Sequence, residues 1–397
     1  MTKKIISLLC AAALCVGAAG CSQSKADTAE KDKSSQTEED TGMKGIQLTE
    51  DTVKLIGRTY LAENGTLWCA LSGSGAEFEF TGKNLDIMVE GDKISWSGQR
   101  NNYTRIAIYV DGERVIDDML NEGVKKYTPI SGDTEVTKTV KIVKLSETAM
   151  SCFGIMPIQL EDGASVKPVP KKAHSIEFIG DSITCGYGVD DEDATHTFAT
   201  STEDVTKAYA YKTAENLGAE YSMFSISGWG IISGWTGDGT QHPEQQIPLY
   251  YEKAGFSYGG FGDVQAQSVD WDFAKYQPEL VVINLGTNDE SYCKSDEAKR
   301  ADYVAGYVEF LKTVRSDNPD ARILCVLGIM GDALYPCVEE AVEKYSTETG
   351  DTNISAFRLE PQKAAEDGLA ADSHPTERTH TKAAEALTAE IKRIMGW

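Results

Sequence analysis

The chain has 397 residues, of which 41% are hydrophobic and 25% are charged, a composition typical of a folded globular protein with two to three domains. Its formal net charge is −24. Such an excess of acidic groups is repelled by nucleic acid and by anionic lipid, so it excludes nucleic acid and anionic membrane surfaces as partners.

The first twenty residues have the pattern of an export signal. Two lysines precede the apolar stretch Ile5–Val16, which is too short to span a bilayer. Small residues then end at Cys21, which resembles the lipobox of bacterial lipoproteins, although Ala18 stands where leucine is usual. We expect a signal peptide over 1–20 and an exported protein held at the bacterial cell surface by a lipid on Cys21. The alternative is an ordinary secretory signal cleaved nearby.

Residues 21–45 are rich in Ser, Lys, Glu, Asp and Thr and contain almost no large apolar side chain. Such a segment cannot bury enough surface to fold, so it is predicted to be a disordered linker.

Short runs of alternating polarity, separated by turn sequences, predict an all-β domain over 46–168. Asp111-Gly112 lies between two apolar runs and is a strong hairpin signal. The spacing of the runs predicts a sandwich or jelly roll. The stretch 166–172 holds two prolines and three lysines and is predicted to be a stiff linker. The predicted strands are 76–80, 85–89, 104–110, 113–116, 136–145 and 155–160.

From residue 174 to residue 397, apolar strands alternate with helical patterns, which predicts a parallel doubly wound α/β domain. A stretch over 229–270, rich in Gly, Tyr, Trp and Pro, is predicted to be a surface insertion. Ligands of such sheets lie beyond the carboxyl ends of the strands. The predicted strands are 175–179, 220–226, 278–285, 321–329 and 354–359, and the predicted helices are 203–217, 294–316, 336–349 and 381–394.

The cysteines and acidic residues give no sign of a metal site. Six of the nine cysteines follow Cys21, are widely scattered and form no Cys-x-x-Cys or Cys/His cluster, so we expect buried free thiols and no structural zinc. Asp190–Asp193 lacks the spacing of a calcium loop and is predicted to be a solvated acidic loop. We expect no metal and no cofactor.

A candidate nucleophile follows the first strand of the α/β domain. Ile176–Ile179 ends in Gly180-Asp181-Ser182, a tight turn that points a serine hydroxyl off the edge of the sheet. If a helix begins there, its free N–H groups surround the hydroxyl, which suits Ser182 for covalent catalysis. The alternative is an ordinary helix N-cap, because Ser and Asp both favour that position. Cys185 is nearby, but its flanking residues suit packing.

Three later strand ends carry residues that complete an acyl-transfer site. His374 can act as general base toward Ser182, with Asp372 orienting it. The N–H groups of Ser182 and Gly228 and the side chain of Asn288 can bind an oxyanion. Each residue also has a structural alternative: Asn288 as a cap, Gly228 as a turn glycine, and His374 as a surface histidine.

The four blocks together resemble the SGNH, or GDSL-type, hydrolase superfamily. The matching residues are Gly180-Asp181-Ser182-Ile183, Gly228, Gly286-Thr287-Asn288-Asp289 and His374-Pro375. The resemblance implies a flavodoxin-like parallel sheet and a serine esterase without a cofactor. The superfamily usually has Asp three residues before His, whereas Ala371 stands there and Asp372 is two residues before His374.

That departure, with the preceding β domain, is similar to carbohydrate esterase family 2, which joins a jelly roll to an SGNH domain. The resemblance implies removal of acetyl groups from hemicellulose, such as xylan or glucomannan, or from its oligosaccharides. Ser373 stands where members often have an aromatic residue. Two alternatives remain: a peptidoglycan O-acetyl or lipid esterase of the same superfamily, and a non-catalytic glycan-binding surface lipoprotein.

Aromatic residues of the insertion are candidates for sugar stacking. Trp229 follows Gly228 directly and is predicted to form a wall of the cleft, and Trp235 is predicted to bind substrate as well. Asp181 is a further candidate substrate-binding residue. Packing of the insertion on the domain is the alternative for its aromatic residues. His380 is predicted to be structural.

Overall fold

The computed structural model describes residues 44–397. The predicted signal peptide, the predicted lipidation site Cys21 and nearly all of the linker predicted over 21–45 lie outside these residues. Among the helices of residues 44–397, none has both the length and the apolar character needed to cross a membrane. The described residues belong to one compact unit, whose two portions we call the β part (44–168) and the α/β part (174–397).

The β part consists of antiparallel strands, as the alternating sequence pattern predicts. The strands are β1 (Lys44–Ile46), β2 (Lys54–Ile56), β3 (Thr59–Leu61), β4 (Leu67–Cys69), β5 (Gly75–Gly82), β6 (Leu85–Gly91), β7 (Arg105–Val110), β8 (Glu113–Met119), β9 (Val124–Ile130), β10 (Val136–Lys144), β11 (Phe153–Ile155), β12 (Ile158–Leu160) and β13 (Ser165–Pro168).

Two main sheets enclose the core of the β part. One has the order β13-β5-β10-β7-β8, with β2 also paired to β5, and the other has the order β3-β4-β11-β6-β9. Inward-facing side chains of both sheets, among them Phe78, Ile87 and Phe153, form one buried apolar cluster. This arrangement confirms the predicted jelly-roll-like architecture. The hairpin between β7 and β8 turns at Asp111 (φ 50°) and Gly112 (φ 85°), as predicted.

Some strands of the β part have no clear signal in the sequence. β9 contains two lysines and Pro129 and lies at the edge of its sheet, where proline and charge are tolerated. β13 pairs with β5 and occupies the beginning of the predicted 166–172 linker, which is therefore shorter than expected. β1 starts at Lys44, inside the predicted disordered linker, because it pairs with β12.

The α/β part is built on a five-stranded parallel sheet in the order β15-β14-β16-β17-β18. This is the flavodoxin-like order, with its switch point beside β14, and it confirms the predicted fold. The strands are β14 (His174–Gly180), β15 (Ala219–Ser225), β16 (Leu280–Asn284), β17 (Arg322–Ile329) and β18 (Ile354–Pro361), and the helices are α1 (Ser182–Cys185), α2 (Tyr209–Leu217), α3 (Thr287–Cys293), α4 (Glu297–Asp317), α5 (Tyr335–Thr349), α6 (Ala364–Asp367) and α7 (Glu377–Met395).

Helix starts differ from the predicted ones where local capping dominates. The helix predicted over 294–316 is α4, which begins at Glu297 because Asp296 caps it by accepting from the N–H groups of Ala298 and Lys299. A separate helix that was not predicted, α3, ends just before Lys294, which has a φ of 47°. The predicted insertion 229–270 contains only short 3-10 turns and isolated bridges.

A buried arginine joins the two parts. Arg58, between β2 and β3, has no exposed surface, and its Nη2 lies 3.0 Å from Oε1 of Glu177 on β14. Its guanidinium also lies 4.6 Å from the ring centroid of Phe224 and 4.8 Å from that of Tyr251. The ion pair and the aromatic rings place a side chain of the β part inside the core of the α/β part.

Candidate active site

Four chain segments at the carboxyl edge of the parallel sheet carry the candidate residues. Ser182 begins α1 directly after β14, and Gly228 follows β15. Asn288 lies in the first turn of α3, after β16, and His374 follows a 3-10 turn, Ala371–Ser373, beyond β18. This is the edge at which parallel sheets bind ligands, as predicted.

Ser182 and His374 are in direct contact. Nε2 of His374 lies 2.9 Å from Oγ of Ser182, although the two residues are 192 positions apart in the chain. Asp181 is the N-cap of α1, because its Oδ1 accepts from the N–H of Ile183 at 3.0 Å. The turn therefore does form a helix N-cap, but the capping side chain is that of Asp181, and the hydroxyl of Ser182 contacts the histidine instead.

Burial keeps the imidazole of His374 neutral. It lowers the pKa of His374 to about 4, and the backbone carbonyl of Ala371 and the charge of Asp372 oppose this shift only in part. A neutral imidazole with Nε2 against a serine hydroxyl can accept the hydroxyl proton at neutral pH.

Asp372 does not make the predicted contact with His374. Its Oδ2 accepts from the hydroxyl of Tyr187 at 2.5 Å. Nδ1 of His374 is buried, and within residues 44–397 no group, the Ala371 carbonyl included, meets hydrogen-bond geometry with it. Asp372 has a φ of 50° and Ser373 a φ of 62°, so both lie in the left-handed region. With this backbone, the carboxylate of Asp372 contacts the hydroxyl of Tyr187 and not the imidazole of His374.

Tyr187 lies between these two residues, and sequence reasoning assigned it no role. Its ring stacks on the imidazole of His374, with 3.9 Å between centroids and an interplanar angle of 21°. The only available signal was its position in the Gly-Tyr-Gly sequence that follows Ser182.

The candidate oxyanion donors differ in whether they already donate hydrogen bonds to other groups. Within residues 44–397, the N–H groups of Ser182 and Gly228 donate to no other group. Nδ2 of Asn288 donates to Oδ2 of Asp181 at 3.1 Å and to the carbonyl of Trp229 at 2.8 Å. Both hydrogens of that amide are therefore engaged, so an oxyanion competes with these acceptors for Asn288.

Two buried carboxyl groups, those of Asp181 and Asp289, accept hydrogen bonds from groups around the candidate oxyanion donors. Burial, together with the nearby charge of Asp289, raises the pKa of Asp181 to about 7, and burial raises the pKa of Asp289 to about 6. Asp289 accepts from the N–H groups of Ile231, Ile232 and Ser233 at 2.8–3.2 Å and so anchors the start of the insertion.

Asp181 does not face a substrate. It is 1% exposed, and its two oxygens accept from Ile183 and Asn288. The structure therefore gives it a supporting position instead of the predicted substrate-binding one.

The insertion places its two tryptophans differently. Trp229 is only 5% exposed and packs on Phe256 and Tyr250, with centroids 4.6 and 5.1 Å away. Its ring packs in the core, as the alternative of loop packing has it, and leaves little surface for the predicted role as a wall of the cleft. Trp235 is 62% exposed, and its N–H donates to the carbonyl of Gly228 at 2.7 Å.

Other predicted residues are structural. Cys185 is fully buried, burial raises the pKa of its thiol, and its Sγ donates to Oγ of Ser225 at 3.2 Å. His380 is fully buried and accepts from the N–H of Tyr209 at 3.2 Å, as expected for a structural histidine. In the part of the chain that the structure describes, no group of three or more His, Cys, Asp or Glu residues could hold a metal ion.

A cavity of about 620 Å³ lies at the opposite, amino-terminal edge of the sheet. Its lining includes His174, the first residue of β14, and Glu220, the second residue of β15. It includes none of the candidate catalytic residues.

Comparison with known proteins identifies the family. Residues 178–382, more than half of the chain, match the GDSL-like lipase/acylhydrolase family. The chain belongs to the GDSL-like lipase/acylhydrolase family. In addition, residues 55–170 match the N-terminal domain of carbohydrate esterase 2, so this member of the family carries both parts of that architecture.

Individual relatives of this GDSL-like protein are also named as esterases. The cellulase/esterase CelE of Acetivibrio thermocellus is 32% identical over 335 residues, which are 83% of this chain and 38% of CelE. An acetylxylan esterase / glucomannan deacetylase of Cellvibrio japonicus is 26% identical over 360 residues, 89% of this chain and 91% of the relative. The solved structure of a family two carbohydrate esterase from Clostridium thermocellum in complex with cellohexaose is 29% identical, with a TM-score of 0.74 over 87% of this chain and 99% of that one.

Proposed function

We propose that this chain is a carbohydrate O-acetyl esterase that removes acetyl groups from hemicellulose, such as xylan or glucomannan, or from its oligosaccharides. The observation that carries the proposal is the 2.9 Å contact between Nε2 of His374 and Oγ of Ser182. The names of the relatives support the substrate class, since one is an acetylxylan esterase / glucomannan deacetylase.

The first half of the reaction forms an acetyl-enzyme. His374 takes the proton of Ser182 as Oγ attacks the acetyl carbonyl, which gives a tetrahedral intermediate. When the intermediate collapses, the bond to the sugar oxygen breaks and the imidazolium of His374 gives its proton to that oxygen. Water then attacks the acetyl-enzyme by the same route, which releases acetate and restores Ser182. None of these steps requires a metal or a cofactor.

The oxyanion is bound by the N–H groups of Ser182 and Gly228 and by the side chain of Asn288. The two backbone groups are free to donate, whereas Asn288 exchanges a bond to Asp181 or to the Trp229 carbonyl for one to the oxyanion. Such donors stabilise charge that develops only in the transition state, and loss of one typically costs about 10²- to 10³-fold in rate.

Asp372 acts on His374 through Tyr187 in this proposal. Its bond to the Tyr187 hydroxyl holds the ring that stacks on the imidazole. Its negative charge also favours the imidazolium that forms during catalysis, since it raises the pKa of His374.

The substrate class is tested by acetate release from acetylated xylan, acetylated glucomannan and O-acetylated peptidoglycan at equal acetyl concentration. Hydrolysis of the first two supports the proposal. Activity confined to peptidoglycan, or to long-chain lipid esters, would replace the substrate with one of those alternatives. Binding of all three glycans without acetate release would make the chain a glycan-binding protein.

We also propose that the protein is exported and anchored by a lipid on Cys21. The support is the sequence alone: an apolar stretch followed by small residues and a cysteine. Partition of the full chain and of a Cys21→Ser variant into a detergent phase tests this. Wild-type protein in the aqueous phase would contradict it.

A further inference from the structure

A segment of the β part reaches the edge of the sheet where the candidate active site lies. Residues 145–149 follow β10, and each of them is nearly or completely buried. Within this segment, Oε2 of Glu147 accepts a hydrogen bond from the N–H of Ser227 at 3.0 Å. Ser227 belongs to the α/β part and immediately precedes Gly228, one of the proposed oxyanion donors.

Hydrogen bonds, and not side-chain packing on the glycine, fix the loop at Gly228. Gly228 has a φ of 79°, and no atom lies within 4 Å of the position that a Cβ would occupy. Nothing therefore packs against that side of the glycine. Its position depends on hydrogen bonds of the loop. These include the Glu147 contact before it, the turn bond from the N–H of Trp229 to the carbonyl of Ile226, and the bond from the backbone N–H of Trp235 to the Gly228 carbonyl.

Glu147 is itself held firmly. Its backbone N–H donates to Oε2 of Glu203 at 2.9 Å, and its carbonyl accepts from Nζ of Lys144, which also donates to the Ser146 carbonyl at 3.0 Å. Lys144, Glu147 and Glu203 have no exposed surface. Burial raises the pKa of both glutamates and lowers that of Lys144, because charge is costly in this buried cluster.

We propose that Glu147 is a positioning residue, by which the β part sets the place of the Gly228 N–H in the oxyanion hole. This inference rests on the proposed function, since it assigns a role within the same esterase site. The inference also assigns the β part a role in catalysis, in addition to any contact with substrate. A small displacement of an oxyanion donor has a large effect on rate, because the donor must meet the oxyanion at hydrogen-bond distance.

Two substitutions in the full chain separate reach from charge. Glu147→Gln keeps an oxygen acceptor at the same reach without the charge. Glu147→Asp keeps the charge but withdraws the acceptor by one methylene. We expect Gln to keep kcat within about threefold, and Asp to lower kcat about 10- to 100-fold with KM changed less than about twofold, with 4-nitrophenyl acetate as substrate.

Asp92 provides a matched control. It is also a buried carboxyl group of the β part and accepts from a backbone N–H, that of Cys152 at 2.6 Å, but it holds none of the four active-site loops. Asp92→Asn is expected to lower the melting temperature with kcat unchanged.

The outcomes distinguish this inference from the proposed function. If Glu147→Asp keeps the wild-type kcat, or if Gln loses as much as Asp, Glu147 does not position the loop, even where wild-type enzyme hydrolyses the ester through Ser182. If Ser182→Ala retains full activity, the proposed function itself fails. Equal losses of kcat in the Glu147→Asp and Asp92→Asn variants would mean a general structural effect and would also overturn the inference.

Discussion

The ring of Tyr187 stacks on the imidazole of His374 at 3.9 Å while its hydroxyl donates to Asp372 at 2.5 Å. A tyrosine thus links the predicted acid to the predicted base, which have no direct side-chain hydrogen bond. The orientation of His374 therefore depends on packing as well as on charge.

Substitutions of Tyr187 separate these two contributions. Tyr187→Phe keeps the stacked ring and loses only the bond to Asp372, so we expect kcat to fall about three- to tenfold. Tyr187→Leu removes the stacked ring and is expected to lower kcat about 100-fold. If Asp372 acts through the hydroxyl, as proposed, the double variant Tyr187→Phe with Asp372→Asn should be less impaired than the product of the single effects. Fully multiplicative losses would show that Asp372 acts independently of Tyr187.

The pH dependence of kcat/KM reports the burial of His374. The general base must be neutral, and burial lowers the pKa of His374 to about 4. We expect kcat/KM to be retained as pH falls from neutral to about 5 and to halve near pH 4, where the imidazolium forms and can no longer accept a proton. Enzyme returned from pH 4 to pH 7 must regain full activity, which controls for unfolding. A midpoint near 6.5 would show that His374 is solvated in the free enzyme.

Arg58 is expected to be essential for stability. Arg58→Met leaves Glu177 buried without its partner at 3.0 Å, which should lower the free energy of unfolding by about 3–5 kcal/mol. Urea unfolding of the variant and the wild type measures this. Adding Glu177→Gln to Arg58→Met removes the unpaired charge and should restore part of the loss. A single variant as stable as the wild type would show that the ion pair does not join the two parts.

Trp235 tests the recognition of long substrates. The residue is 62% exposed and lies beside the Gly228 loop, so its ring is available to stack on a sugar. Trp235→Ala should raise KM about three- to tenfold for acetylated xylan and leave kinetics on 4-nitrophenyl acetate unchanged. Trp96→Ala is a matched control, since Trp96 of the β part is 58% exposed. Equal effects of the two substitutions would place the main stacking surface elsewhere.

Much of the fold followed from local patterns. The parallel strands are apolar runs bounded by turns, and the Asp111-Gly112 hairpin has the backbone angles that its sequence demands. β9 was missed because its lysines and Pro129 are compatible with an edge strand only once its neighbour β6 is known.

The candidate site was predictable for the reactive side chains that lie just after the ends of strands. Ser182 and His374 meet as expected, since both follow strands or loops at one edge of the sheet. Trp229 was placed wrongly because position in the chain does not show which face of a loop packs inward. Glu147 gave no signal, because its role depends on a contact with Ser227, 80 residues away in the other part of the chain.

The central claim is that Ser182 is the nucleophile of a carbohydrate acetyl esterase, and acetate release by Ser182→Ala tests it most directly. With acetylated xylan or glucomannan as substrate, the account predicts a loss of at least about a thousandfold in kcat, with the fold and the melting temperature preserved. His374→Ala should cost a similar amount, and the double variant should lose little more, because the two residues act as a unit. Acetate release by Ser182→Ala at the wild-type rate would contradict the account.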